Sequence, residues 1–88
     1  EKMTKKAVEI KLQSGLEARP VAMLVQVASR YDSSVYLECE GKKVNAKSIM
    51  GLMSLAISSG TVITISADGK DEEKAVDYLT SFVEKEVI

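Results

Sequence analysis

Ser48 stands directly before a run of apolar residues, Ile49 to Ile57, that has the length of a short helix. A serine at this position caps free backbone N–H groups, and such a cap is worth about 1 kcal/mol. Phosphorylation of the same hydroxyl would add about 1.5 to 2 negative charges at a helix N-terminus, the end that favours anions. The spacing therefore permits a charge switch at Ser48, although a plain capping role explains the serine equally well.

The predicted helix is apolar nearly all the way round, whereas a surface helix of a layered fold buries only one stripe. If Leu52, Leu55 and Ala56 face the core, three apolar side chains are left at least partly exposed: Ile49, Met50 and Met53. Exposed apolar clusters with flexible methionines are typical of partner-binding surfaces. The alternative is a helix buried on all sides, which a chain of 88 residues has little material to build.

A second candidate site is the segment GLEARP, residues 15–20, in which a glycine turn leads into the start of a helix. Backbone N–H groups and the guanidinium of Arg19 could bind an anion at such a helix start. Glu17, however, already supplies a carboxylate at the same place. A Glu–Arg pair that merely suits the helix dipole explains the segment as well as a ligand site does.

Histidine is absent from the sequence. This removes the usual proton carrier near neutral pH and the commonest transition-metal ligand, so we expect no metal site and no enzymatic activity. An enzyme that used Glu17 as a general base would have no second catalytic group nearby except Arg19. The one cysteine, Cys39, lies in a strand-like segment and is expected to be a small apolar packing residue.

The overall composition is that of an ordinary globular domain, with 45% hydrophobic and 28% charged residues. A formal net charge of −1 gives no basic field for binding phosphate backbones, so direct nucleic-acid binding is not expected. No apolar run approaches the roughly 18 residues that a membrane-spanning helix needs. We therefore expect one domain over residues 1–88, a cytoplasmic location, no membrane association and no cofactor.

The first elements that must position these residues are a strand and a helix. Apolar and polar residues alternate over 8–13, which predicts a strand with one buried face. Apolar residues then recur at helical spacing up to Tyr31, which predicts a helix that begins near Glu17 or Ala18. Pro20 falls in the first turn of this helix, where proline is tolerated.

The rest of the chain predicts three more strands and a last helix. Alternation over 35–40 and the short segment from Lys43 to Ala46 predict a hairpin, and β-branched residues over 61–67 predict a fourth strand. Asp71 is expected to cap a final helix with an apolar stripe that ends at Val83. The order β-α-β-β-α-β-α, with such short connections, predicts an α+β fold: a two-layer open-faced sandwich with a four-stranded antiparallel sheet and three helices on one face.

Two of these segments together resemble the HPr family of the bacterial phosphotransferase system. The stretch KVNAKSIMGLMSL, residues 43–55, is similar to the regulatory-serine signature of HPr proteins from Gram-positive bacteria. The stretch GLEARP is similar to the active-site signature of the family, Gly-(Leu or Ile)-His-Ala-Arg-Pro, but has Glu17 in place of the phosphorylated histidine. The resemblance covers nearly the whole chain and implies the HPr-like fold named above.

The missing histidine points within this family to the Crh branch, which usually has glutamine at the position of Glu17. The resemblance implies that Ser48 is phosphorylated by HPr kinase/phosphorylase, and that the modified protein is a corepressor of catabolite control protein A, a LacI-type repressor. It also implies that four residues contribute to the partner surface: Arg19, Ile49, Met50 and Met53. A phosphocarrier whose histidine has been replaced by Glu17 is the alternative.

Overall fold

The computed structural model describes residues 3–11, 18–55, 57–58 and 60–84. Within these residues the chain forms, in order, β1 (Thr4–Glu9), α1 (Ala18–Ala28), β2 (Ser34–Cys39), β3 (Lys42–Asn45), α2 (Ile49–Met53), β4 (Val62–Asp68) and α3 (Glu72–Glu84). The predicted order β-α-β-β-α-β-α is confirmed.

The strands form one antiparallel sheet in the order β1-β4-β2-β3, so that β4 pairs with both β1 and β2. The hairpin of β2 and β3 completes the sheet on the other side. The two edge strands are therefore β1 and β3. Each edge strand carries a pair of exposed lysines, Lys5 and Lys6 in β1, and Lys42 and Lys43 in β3.

One face of the sheet is buried under the helices. The period-two pattern places Val35, Leu37 and Cys39 of β2 on this face, and β4 adds its own buried residues in register with them. α1 packs against α2 and α3, while α3 contacts β1, β4 and β2. The predicted two-layer arrangement is therefore confirmed. No helix among the described residues is long and apolar enough to cross a membrane.

The strand ends differ from the predicted ones by a few residues. β1 starts at Thr4 and ends at Glu9, where the alternation predicted a strand over 8–13. The backbone of Ile10 still bonds to that of Thr61, at 2.8 Å, so the buried alternation continues one residue past the strand. Leu12 lies outside the described residues.

α2 is shorter than predicted: it ends at Met53 and not at Ile57. Ser54 Oγ donates a 2.6 Å hydrogen bond to the carbonyl oxygen of Gly51. A serine hydroxyl that takes up a helix carbonyl competes with the regular backbone ladder, so the helix can stop there. Ile57 is buried all the same, because its apolar side chain enters the core from the segment after the helix.

Contrary to the prediction, the side chain of Asp71 does not cap α3. Its carboxylate reaches back to the turn between α1 and β2, where it accepts hydrogen bonds from the backbone N–H groups of Asp32, at 2.9 Å, and Ser33, at 3.0 Å. The Ser33 hydroxyl donates to the same carboxylate. Nearby, a Cβ on Gly69 would come within 2.7 Å of the Ser33 Cα, so only glycine fits this close approach. These contacts join the start of α3 to the start of β2.

Candidate functional site: Ser48 and the apolar surface of α2

Ser48 caps α2 as predicted. Its backbone is extended, with φ −114° and ψ 117°, and its Oγ accepts a hydrogen bond from the N–H of Gly51 at 3.1 Å. Its carbonyl oxygen accepts from the N–H of Leu52, also at 3.1 Å, which starts the helical ladder. A hydroxyl oxygen has two lone pairs and one hydrogen, so this cap leaves the hydroxyl hydrogen free to be donated.

The loop before Ser48 is held in one shape by three hydrogen bonds. Asn45 accepts from the N–H of Lys47 through Oδ1, at 2.8 Å, and from the N–H of Ser48 through its carbonyl oxygen, at 3.0 Å. Lys47 Nζ donates to the carbonyl oxygen of Tyr31 at 2.8 Å and so connects the loop to the turn between α1 and β2. Neither side chain is among the site residues predicted from the sequence. An asparagine often bonds to the backbone two residues further along in a turn. The spacing of Asn45 and Lys47 was therefore the sequence signal that could have predicted this loop.

Beside Ser48, three apolar side chains of α2 face solvent. Ile49 is 47% exposed, Met50 84% and Met53 47%, while Leu52 on the same helix is fully buried. We call these three exposed residues the α2 apolar surface. Their predicted exposure is confirmed, and the alternative of a helix buried on all sides is wrong for this chain.

Met23 is a further exposed methionine of the helical layer and is not among the residues predicted from the sequence. It lies on α1, which packs against α2, and it is exposed while Leu24 next to it is buried. Its exposure could have been predicted from the sequence, because Met23 lies outside the apolar stripe of α1, in which Val21, Leu24 and Ala28 point to the core. Apolar residues off such a stripe are expected to be exposed.

The second candidate site is described only in part. Glu17 lies outside the described residues. Arg19 belongs to the first turn of α1, but the structure describes only its backbone. Its contribution to a partner surface therefore stays a prediction.

Cys39 is buried at the end of β2, as expected of a packing residue. Burial raises the pKa of its thiol, and the nearby carboxylate of Glu40 acts in the same direction. The thiol is therefore protonated at neutral pH, the form of low reactivity.

The family model for the HPr component of the phosphotransferase system, described as its phosphorylation site, matches residues 4–85. The chain belongs to the HPr family.

Among HPr family members, the chain is similar to HPr-like protein Crh from Halalkalibacterium halodurans, with 57% identity over 84 residues that cover 96% of this chain and 100% of the relative. It is 55% identical to HPr-like protein Crh from Bacillus subtilis, over 97% of this chain and 100% of that protein. The crystal structure of phosphocarrier protein HPr from Bacillus anthracis matches with a TM-score of 0.91 and 49% identity, over 92% of this chain and 96% of the other. The predicted HPr-like fold is confirmed.

Proposed function

We propose that this HPr-like protein is a non-catalytic regulator of carbon catabolite repression. HPr kinase/phosphorylase phosphorylates Ser48, and the phosphorylated protein then acts as a corepressor of catabolite control protein A. The observation that carries the proposal is the position of the Ser48 hydroxyl directly before the α2 apolar surface. The name Crh of the relatives, which implies catabolite repression, supports it.

The proposed switch works through surface charge next to an apolar surface. Phosphate on Ser48 would add about 1.5 to 2 negative charges and three strong acceptor oxygens. A partner with an arginine or lysine beside an apolar pocket could then bind the phosphate and the α2 apolar surface together. The unmodified protein offers such a partner only the apolar part, so the two forms differ in affinity. We include Arg19 in this partner surface because the resemblance to the HPr family implies that Arg19 contributes to partner binding.

Glu17 marks a degenerate phosphohistidine position in this proposal. A phosphocarrier holds a labile phosphate on an imidazole, and the sequence contains no histidine. The Crh relatives, which match over nearly the whole chain, also favour the regulator over a phosphocarrier.

Phosphorylation and partner titration test the proposal together. The chain is incubated with the kinase and ATP, mass spectrometry locates the phosphate, and both forms are titrated with the repressor. We expect a single phosphate on Ser48 and tighter binding of the modified form. Ser54, an exposed serine just after α2, provides the matched control: Ser54→Ala should still accept the phosphate, whereas Ser48→Ala should not. Equal affinity of the two forms for the repressor would contradict the proposal.

A further inference from the structure

The methionines of this chain lie on its surface. The sequence has four of them, and none belongs to the core formed by the described residues. Met50 is the most exposed, at 84%, and Met3, near the start of β1, is the least exposed, at 39%. Met50 and Met53 are three residues apart on α2 and therefore lie on neighbouring positions of one helix face.

The other sulfur of the chain is protected. Cys39, the only cysteine in the sequence, is buried, and oxidants react with the exposed thiolate form of cysteine. A mild oxidant in solution therefore meets the methionine thioethers before the thiol. Of these thioethers, that of Met50 offers the largest exposed area within the α2 apolar surface.

We propose that Met50 and Met53 are sites of reversible oxidation by peroxides, and that their conversion to sulfoxides turns off the α2 apolar surface as a binding surface. In this step a lone pair of the thioether sulfur attacks a peroxide oxygen, the O–O bond breaks and an S–O bond forms. The sulfur loses two electrons, and hydrogen peroxide gains them and leaves as water. Methionine sulfoxide reductases reverse the step with two electrons from thiols, which become a disulfide, and the oxygen leaves as water.

The effect on binding follows from the polarity of the product. A sulfoxide converts a flexible apolar side chain into a polar one and disrupts interfaces rich in methionine. Its oxygen loses water on entering an apolar pocket and gains no partner there, which weakens binding roughly tenfold or more. The protein itself stays folded, because the modified side chains lie outside the core. This part of the inference rests on the proposed function, whereas the preferred oxidation of Met50 does not.

The first experiment needs no partner. The full chain is treated with limiting hydrogen peroxide, and peptide mapping follows the addition of oxygen at each methionine. We expect Met50 to be oxidised before Met3, and the oxidised protein to elute earlier in hydrophobic-interaction chromatography. The variant Met50→Leu/Met53→Leu keeps apolar side chains and should show a smaller change in elution, because only Met3 and Met23 remain to be oxidised, whereas the matched control Met3→Leu should retain most of the change. Faster oxidation of Met3, or an unchanged elution, would overturn the proposal.

The second experiment uses the phosphorylated protein and the repressor. For each variant the affinity after peroxide treatment is compared with its own affinity before treatment. We expect peroxide to lower the affinity roughly tenfold or more for the phosphorylated chain without substitutions and for Met3→Leu. The affinity of Met50→Leu/Met53→Leu should not change. Treatment with the reductases should restore the affinity that was lost. An equal loss in the double leucine variant would overturn the redox switch. If the untreated phosphorylated protein does not bind at all, the proposed function fails, and the oxidation order and elution still decide the redox proposal.

Discussion

At the scale of single residues, the Ser48 hydroxyl caps α2, and in the proposed function it is also the group that accepts the phosphate. Its oxygen accepts from Gly51 and so starts α2, while its hydrogen is left free. The loop before it is fixed by Asn45 and Lys47, so the hydroxyl has a defined position before any partner arrives. Prior ordering of this kind would lower the entropy cost of the proposed binding to a kinase or repressor.

We expect Ser48→Ala to keep the fold and lose at most about 2 kcal/mol of unfolding free energy, the upper range for a missing helix cap. The physical reason is that alanine leaves the N–H of Gly51 to water. Urea denaturation followed by circular dichroism measures the loss. A much larger loss would mean that the hydroxyl supports more of the structure than the cap.

Asp71 gives the molecule a pH-dependent contact. The hydrogen bond from the Ser33 hydroxyl, and then that from the backbone of Asp32, lower the pKa of the Asp71 carboxyl below its usual range. Since the folded pKa is below the unfolded one, the contact stabilises the protein at neutral pH and is lost as the pH falls below about 4.

We therefore expect Asp71→Asn to reduce the unfolding free energy at pH 7. The difference in unfolding free energy between this variant and the chain with Asp71 should shrink as the pH falls below about 4. Urea denaturation at several pH values measures this. Asp77→Asn, at an exposed position of α3, is the control and should change the unfolding free energy by less than about 0.5 kcal/mol at every pH. A difference for Asp71→Asn that persists unchanged at low pH would show that the charge is not responsible.

At the scale of elements, α2 combines a buried anchor and an exposed apolar surface within five residues. Leu52 anchors the helix in the core, while the α2 apolar surface lies on the solvent side. In the proposed function, stability and binding depend on different side chains, so substitutions can test them one at a time.

We expect Met50→Ala to weaken repressor binding while it changes the unfolding free energy by well under the roughly 2 to 5 kcal/mol typical of a buried side chain. Leu52→Ala on the same helix is the matched control and should cost an amount in that range. Titration with the phosphorylated protein and urea denaturation measure the two effects. Loss of stability without a selective binding defect in Met50→Ala would show that α2 serves the core alone.

The elements themselves could be predicted because their signals are local. Alternation identified β2 and β4 within a residue of their ends, and the run from Ile49 to Ile57 identified α2 but placed its end four residues too late. The contacts that join elements could not be predicted in this way. Lys47 bonds to a carbonyl 16 positions away, and Asp71 bonds to a turn 38 positions away. Only the finished fold brings these groups together, so the sequence around either residue carries no sign of its partner.

At the scale of the whole molecule, the two faces of the sheet are separated in character. The helical side carries Ser48 and the α2 apolar surface, whereas the other side exposes mainly polar side chains, together with the apolar Val62. There Lys43 Nζ lies 4.7 Å from the centre of the Tyr36 ring, a cation–π contact between neighbouring strands. Ser66 is buried on that side, because the central strand β4 is flanked by side chains of both neighbours.

For the chain as a whole we expect no phosphorylation by enzyme I and phosphoenolpyruvate, because the sequence lacks the imidazole that would accept the phosphate. Incubation with enzyme I and phosphoenolpyruvate that carries labelled phosphate measures the label transferred to the chain, and acid treatment shows whether this phosphate is acid-labile. Glu17→His is the matched variant and is expected to gain an acid-labile phosphate, since the rest of the GLEARP segment matches the family signature. Stoichiometric acid-labile phosphate on the unmodified chain would contradict the prediction.

The lysine pairs on the two edge strands have a consequence for aggregation. An edge strand presents unpaired N–H and C=O groups to which a strand of another molecule can add. Positive charge lies at both edges of the sheet, from Lys5 and Lys6 on β1 and from Lys42 and Lys43 on β3. Two copies that approach edge to edge would bring these charges together, so the repulsion disfavours growth of a continuous sheet. The same lysines thus help the chain to stay dispersed at high concentration.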